Sequence, residues 1–316
     1  MPGISARWQS LSPIGQMGLI VFGLLVVATG IVGALCRAAM VRDTSELVAR
    51  TRSWWWMAAV VFAAVAIDTR LALLLFAFLS FWALKEYVTL LRTRPADHRA
   101  LVWAFLAIPV QYYWIATGAY IMFLIFIPVY MFLWIPLRLV LAREMVGFVA
   151  SASAIQWGLM AFVLGLSHLG YLATLPPFAG TRVDGRTLVL FLVFVTEISD
   201  VFQYVWGKVL GRHKILPTVS PHKTWEGFLG GVTTAAVFGV LLRFLTPFGP
   251  GEAFVVSLLV TVAGFCGGAV MSAVKRDVGV KDFGSLIPGH GGMIDRVDSL
   301  CYAAPVFFHY VQYFHT

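Results

Sequence analysis

Residues 187–206 read TLVLFLVFVTEISDVFQYVW. At 1.5 Å of rise per residue, twenty helical residues cover about 30 Å, the thickness of a bilayer's hydrocarbon layer. Two carboxylates, Glu197 and Asp200, interrupt the run. Charged side chains at that depth are costly and mark function. The stretch therefore reads as a membrane helix that carries chemistry. The rest of the chain repeats its apolar character. Over 316 residues, 60% are hydrophobic and 12% charged, with mean hydropathy +0.85. Soluble domains run nearer about 45–50% and 25%. The composition predicts an all-α, polytopic integral membrane protein of about ten transmembrane helices.

The expected spans lie near 14–36, 53–68, 71–91, 101–118, 119–137, 146–175, 187–206, 227–247, 252–275 and 297–314. Of these, 53–68 is short and 146–175 long for a span of about 20 residues. The first apolar run lacks a small-residue cleavage site after it and reads as a retained helix. No internal repeat or separable soluble domain is visible. Two regions are expected: 1–145, an N-terminal set of about five helices, and 146–316, a C-terminal catalytic set with loops 207–226 and 276–296. With both termini outside, 17 of the 23 basic residues fall in cytoplasmic segments and five in outer ones. That asymmetry obeys the positive-inside rule and places both loops in the cytoplasm, at the inner membrane. A net charge of +8 fits basic loops facing anionic head groups. No nucleic-acid-binding signature accompanies it. Cys36, Cys266 and Cys301 have no metal or disulfide spacing and read as packing residues.

Residues 272–298 hold the densest polar chemistry. Ser272, Lys275, Arg276, Lys281, Asp282, His290, Gly291, Gly292, Asp295, Arg296 and Asp298 fall within 27 positions. Glycines let backbone N–H groups approach phosphate oxygens, and Lys and Arg offset phosphate charge. Asp295 and Asp298 sit one helical turn apart, and paired carboxylates suit Mg²⁺. A second group lies at 197–227. Glu197, Asp200, Tyr204 and Lys208 share one helix face. Ser220, Lys223 and Thr224 follow, each able to donate to phosphate. Lys85-Glu86-Tyr87 reads as a snorkelling group, and His168, His309 and His315 as isolated structural residues. Walker A, His-Glu-x-x-His and Gly-x-Ser-x-Gly patterns are absent, so P-loop chemistry is not indicated.

The series Ser272-x-Val274-Lys275-Arg276-x₄-Lys281-Asp282-x-Gly284-x₂-Ile287-Pro288-x-His290-Gly291-Gly292-Met293-x-Asp295-Arg296-Val297-Asp298 resembles the signature of the phosphatidate cytidylyltransferases. Ser220-Pro221-x-Lys223-Thr224-x-Glu226-Gly227, preceded by Asp200 and Gly207-Lys208, is similar to that family's second block. The resemblance covers about residues 190–316. It implies transfer of CMP from CTP to phosphatidate, giving CDP-diacylglycerol and pyrophosphate, with Mg²⁺ or Mn²⁺. A homodimer is compatible with it. It implies that Asp295, Asp298 and Asp200 hold the metal and that Lys281, Asp282 and His290 complete the catalytic centre. Ser220, Lys223, Thr224, Lys275, Arg276, Gly291, Gly292 and Arg296 would then bind the phosphates.

One departure stands out. The family places an aspartate four residues before the signature serine, and here that position is Gly268. The resemblance therefore implies a metal site short of one carboxylate. Alternative readings are a paralogue with another phosphorylated lipid or glycolipid acceptor, or a catalytically weak homologue that binds CTP or lipid.

Overall fold

The computed structural model describes residues 10–37, 44–91, 93–95, 97–286 and 291–316. Among these residues, helices α1 (Pro13–Arg37), α2 (Thr44–Ile67), α3 (Thr69–Leu90), α4 (Asp97–Ala116), α5 (Tyr120–Val140) and α6 (Phe148–Ala173) form the first part. Helices α7 (Gly185–Leu210), α8 (Trp225–Leu241), α9 (Pro250–Asp277) and α10 (Ile294–Phe314) form the second. All ten expected segments are helical. Six of them (α1, α3, α5, α6, α7 and α9) are long and apolar enough to cross a membrane. Helix α8 has 17 residues, and α2, α4 and α10 carry charges in their first turns or close behind them. Length and composition thus support an all-α membrane protein with six such helices and do not carry a count of about ten.

Local sequence sets the helix ends. Asp68 caps α3 by accepting the Arg70 N–H at 2.6 Å, which explains the polar break before that helix. Asp184 and Thr187 form a capping box at the start of α7. Pro250 opens α9 at a position where its missing N–H costs nothing.

The long sixth segment has a physical explanation. It contains a wide π turn at Leu159–Leu164, and α5 contains another at Phe126–Met131. Widened turns free carbonyls, which must find donors where water is scarce. Gln156 Nε2 donates to the Ile127 carbonyl at 3.0 Å, and Ser167 Oγ donates to that of Leu164 at 2.8 Å. The His168 ring is packed edge-on to His309 at 5.2 Å and against Phe123 and Phe308, so it is not isolated. His315 pairs with Glu252 at 2.6 Å.

Between α7 and α8 the expected plain loop is a two-stranded antiparallel hairpin, β1 (Lys214–Leu216) and β2 (Ser220–Thr224). Glu226 anchors it, accepting the backbone N–H groups of Arg212 and His213 and meeting His213 Nδ1 at 2.6 Å. Thr224 caps α8 through the Gly227 N–H. Helices α7 and α8 cross closely because Gly227 and Gly231 meet the α7 backbone directly; a Cβ on either would lie within 2.7 Å of Gln203 backbone atoms.

Candidate active site

The hairpin, the loop after α9 and the first turns of α10 come together at one end of the bundle. Helix α7 brings Asp200, α9 brings Gly268 and Lys275, α10 brings Asp298 and Ser299, and β2 brings Lys223. The Ser299 hydroxyl donates to Asp200 Oδ2 at 2.8 Å, and the Ser299 N–H donates to Asp298 Oδ1 at 2.7 Å. One serine thus ties the two carboxylates together. The Lys223 ammonium faces both and lies 4.5 Å above the Phe265 ring. Burial pushes its pKa below the ordinary lysine range, with Asp200 and Asp298 pulling the other way.

Gly268 is buried at the centre of this group. A Cβ there would lie 3.0 Å from Lys223 Nζ, 3.6 Å from Asp298 Oδ2 and 3.7 Å from Ser299 Oγ. The position singled out in the sequence therefore does face the carboxylates, and the space where a side chain would start is beside an ammonium group.

Glu197 and Asp200 are both exposed and form no ion pair among the described residues. Asp200 is ten residues from the end of α7, so it lies about 15 Å along the helix from that end. Below it on the same face, Lys208 reaches over the Tyr204 ring at 5.8 Å, as the shared-face spacing predicts.

Asp295 does something other than expected. Its Oδ1 pairs with Lys275 Nζ at 2.9 Å, and its Oδ2 accepts the N–H groups of Phe283 at 2.9 Å and Gly292 at 3.0 Å. Both oxygens hold the loop, and among the described residues Asp295 forms no three-carboxylate cluster with Asp200 and Asp298. No three His, Cys, Asp or Glu side chains converge as a cage among the described residues. What remains, two carboxylates and a hydroxyl, is a hard-oxygen set of the kind Mg²⁺ accepts when substrate phosphates and water complete its shell. The donor set fits the ion on those terms and not as the expected trio.

The other expected residues divide. Arg276 donates to the Val219 carbonyl at 3.2 Å and fastens α9 to the hairpin. Arg296 lies in electrostatic reach of Glu197 and Asp200. Ser220 is on the hairpin with Lys223. Thr224 Oγ1 accepts the Gly227 N–H in capping α8, which leaves its own O–H free to donate, and Gly292 gives its N–H to Asp295. Gly291 adopts φ +80, a conformation that needs glycine. Lys281 and Asp282 are exposed and lie outside the Asp200–Asp298 group. His290 lies outside the described residues.

Sequence reasoning missed Ser299, Phe265 and Glu86. Glu86 does not snorkel: it is buried, and its two oxygens accept the N–H groups of Met293 and Ile294, each at 2.9 Å. Its neighbour Lys85 is exposed and lies over the Trp82 ring at 4.5 Å. A carboxylate in an otherwise apolar helix was the available signal, but its partners lie more than 200 positions away in the chain.

Comparison with known proteins places the chain among relatives. The profile of the cytidylyltransferase family matches residues 48–314. The chain is 42% identical to the uncharacterized protein YnbB of Escherichia coli (strain K12) over 295 residues, covering 92% of this chain and 96% of that one. It is 36% identical over 131 residues to a phosphatidate cytidylyltransferase of Staphylococcus haemolyticus, covering 41% of this chain and 50% of that enzyme. A Staphylococcus saprophyticus enzyme of the same name is 34% identical over 128 residues, covering 40% of this chain and 49% of the enzyme. The chain thus spans about half the length of these phosphatidate cytidylyltransferases. With a profile running through nearly all ten helices and a carboxylate–ammonium centre built from α7, α9, α10 and the hairpin, the chain belongs to the cytidylyltransferase family.

Proposed function

We propose that the protein transfers CMP from CTP to phosphatidate, forming CDP-diacylglycerol and pyrophosphate for phospholipid synthesis. The observation that carries this reading is the grouping of Lys223, Asp200, Asp298 and Ser299 around Gly268, beside Lys275 and Arg296. A phosphate oxygen of the lipid forms a bond to the α-phosphorus of CTP while the bond to the bridging oxygen of pyrophosphate breaks. No protein nucleophile is needed, because the lipid phosphate is itself ionised near neutral pH. Both reactants are anions, so Lys223, Lys275, Arg276 and Arg296 offset their repulsion and hold them in line. Asp200 and Asp298 would hold Mg²⁺, or Mn²⁺, that arrives with the triphosphate; the ion supplies charge neutralisation at the phosphates. Ser299 keeps the two carboxylates oriented.

In this reading all ten helices are embedded, with the hairpin and the 278–293 loop in the cytoplasm at the inner membrane. Region 146–316 carries the reacting groups and 1–145 supports them. The exposed Glu197 and Asp200 on α7 support a site open toward the bilayer, where a lipid phosphate arrives. The test is purified protein in detergent with labelled CTP, Mg²⁺ and phosphatidate. Labelled CDP-diacylglycerol and released pyrophosphate are expected only when phosphatidate is present. Folded protein giving no product at any Mg²⁺ concentration would favour the second reading, a binding homologue, for which Gly268 is the specific observation.

Gly268→Asp separates the two readings further. The new carboxylate would start beside Lys223 Nζ and Asp298 Oδ2. It is expected to pair with Lys223 and to add an oxygen ligand. The Mg²⁺ concentration for half-maximal turnover should fall by about tenfold, the scale of a change in ligand support, with the melting temperature kept. An unchanged Mg²⁺ profile in a stable variant would remove position 268 from the metal site.

A further inference from the structure

The loop between α9 and α10 looks, by composition, like a bed for phosphate, and the start of α10 is the natural place for an anion. Helix N-termini present unpaired N–H groups and a partial positive charge. In this protein that place is filled by the chain itself. Glu86, near the end of α3, accepts from Met293 N–H and Ile294 N–H, the groups at which α10 begins. Two loop glycines make the space for it. A Cβ on Gly292 would lie 2.6 Å from Glu86 Oε2, and one on Gly284 would lie 2.9 Å from Oε1. The same loop is gripped from its other side by Asp295 through the N–H groups of Phe283 and Gly292. Two carboxylates therefore take four of the loop's N–H groups, and none of these four is left for a substrate phosphate.

We infer that Glu86 is a positioning residue of the active site: it occupies the anion site at the start of α10, closes it to the triphosphate, and fixes the turn from which Asp295, Arg296 and Asp298 project. The glycines at 284 and 292 serve a carboxylate of the protein, and the triphosphate is left to the cationic side chains. The inference rests on the proposed transfer only for its kinetic readout. Its structural readout is independent of any activity.

The experiment uses the full chain in detergent, as wild type, Glu86→Ala, Glu86→Gln and Glu86→Leu. Hydrogen exchange is followed by mass spectrometry on peptides covering 291–300. In Glu86→Ala these peptides should exchange faster, while peptides from α7 and α8 are unchanged. Formate added to Glu86→Ala should restore protection, since it supplies the missing carboxylate in the space left behind. Inorganic phosphate should also protect those peptides in Glu86→Ala and have no effect on wild type. Formate should not rescue Glu86→Leu, whose side chain fills the space. Glu86→Gln keeps one acceptor oxygen and should give intermediate exchange, which keeps the test sharp should Glu86→Ala fold poorly.

Where turnover is measurable, Glu86→Ala should lose about 100-fold, the scale of a misplacement of about 1 Å at a reacting centre, and formate should recover much of it. Wild-type exchange in Glu86→Ala and Glu86→Gln would overturn the inference. So would phosphate protection of 291–300 in the wild type, because the site would then be open. If wild type shows no transfer at all, the exchange and formate results still decide the matter, and the failure belongs to the proposed reaction alone.

Discussion

Asp298→Asn should abolish most CMP transfer, by about 100-fold or more, while leaving the protein as stable as wild type. The carboxylate accepts one backbone N–H, that of Ser299, and shares with Asp200 the Lys223 ammonium, with Lys275 and Arg296 also in electrostatic reach. Removing its charge takes away half of the paired-carboxylate ligand set. It also relieves repulsion between two carboxylates at membrane depth, so no stability is forfeited. Asn keeps an oxygen for the Ser299 N–H. Asp200→Asn should behave alike, since its Oδ2 contact with Ser299 Oγ can be kept by an amide oxygen. The measurements are turnover against Mg²⁺ concentration and a thermal melt. Retained turnover in both variants would take the carboxylate pair out of the reaction.

Asp295→Asn should do the reverse in kind: it should cost stability first and activity as a result. Its carboxylate is 7% exposed and its partner Lys275 16% exposed, so this is a largely buried pair. Breaking such a pair by removing one charge costs about 3–5 kcal/mol, because the other charge is left uncompensated. The amide also has only one acceptor oxygen for three donors: the Lys275 ammonium and the N–H groups of Phe283 and Gly292. A lower melting temperature with faster exchange across 281–292 is expected, and transfer falls because the loop is no longer held. An Asp295→Asn protein with wild-type stability and no turnover would instead return Asp295 to the metal, as the spacing with Asp298 first implied.

The contrast between these two aspartates shows what the sequence could and could not convey. Their separation of one helical turn was legible, and so was their chemistry, because periodicity places both on α10. Their different jobs were not legible. These depend on Lys275 and on the N–H groups of a turn whose path no local pattern encodes. The ten helices could be read from apolar runs and polar breaks such as Asp68. The hairpin at 214–224 could not, because its strands are three and five residues long and its anchor, Glu226, lies beyond it. Gly268 was marked by comparison with a motif, yet its neighbour Lys223 comes from a different part of the chain. Glu86 was the plainest failure. Near a helix end, beside Lys85, a carboxylate looks like a surface group, and only tertiary packing turns it inward to α10.

The exposed carboxylates of α7 have a consequence for the surrounding lipid. Glu197 is thirteen residues from Leu210, about 20 Å along the helix. An ionised carboxylate facing acyl chains at that distance would be very expensive. In the proposed transfer, water following the α7 face inward would solvate these carboxylates, and the bilayer beside them would be indented there. A phospholipid diffusing in the inner leaflet would, in the proposed transfer, meet this wet notch from the side. On that reading its head group would sink toward Asp200 and Asp298 while its tails stay among their neighbours, so the lipid would not be extracted and its acyl chains would need no binding pocket of their own.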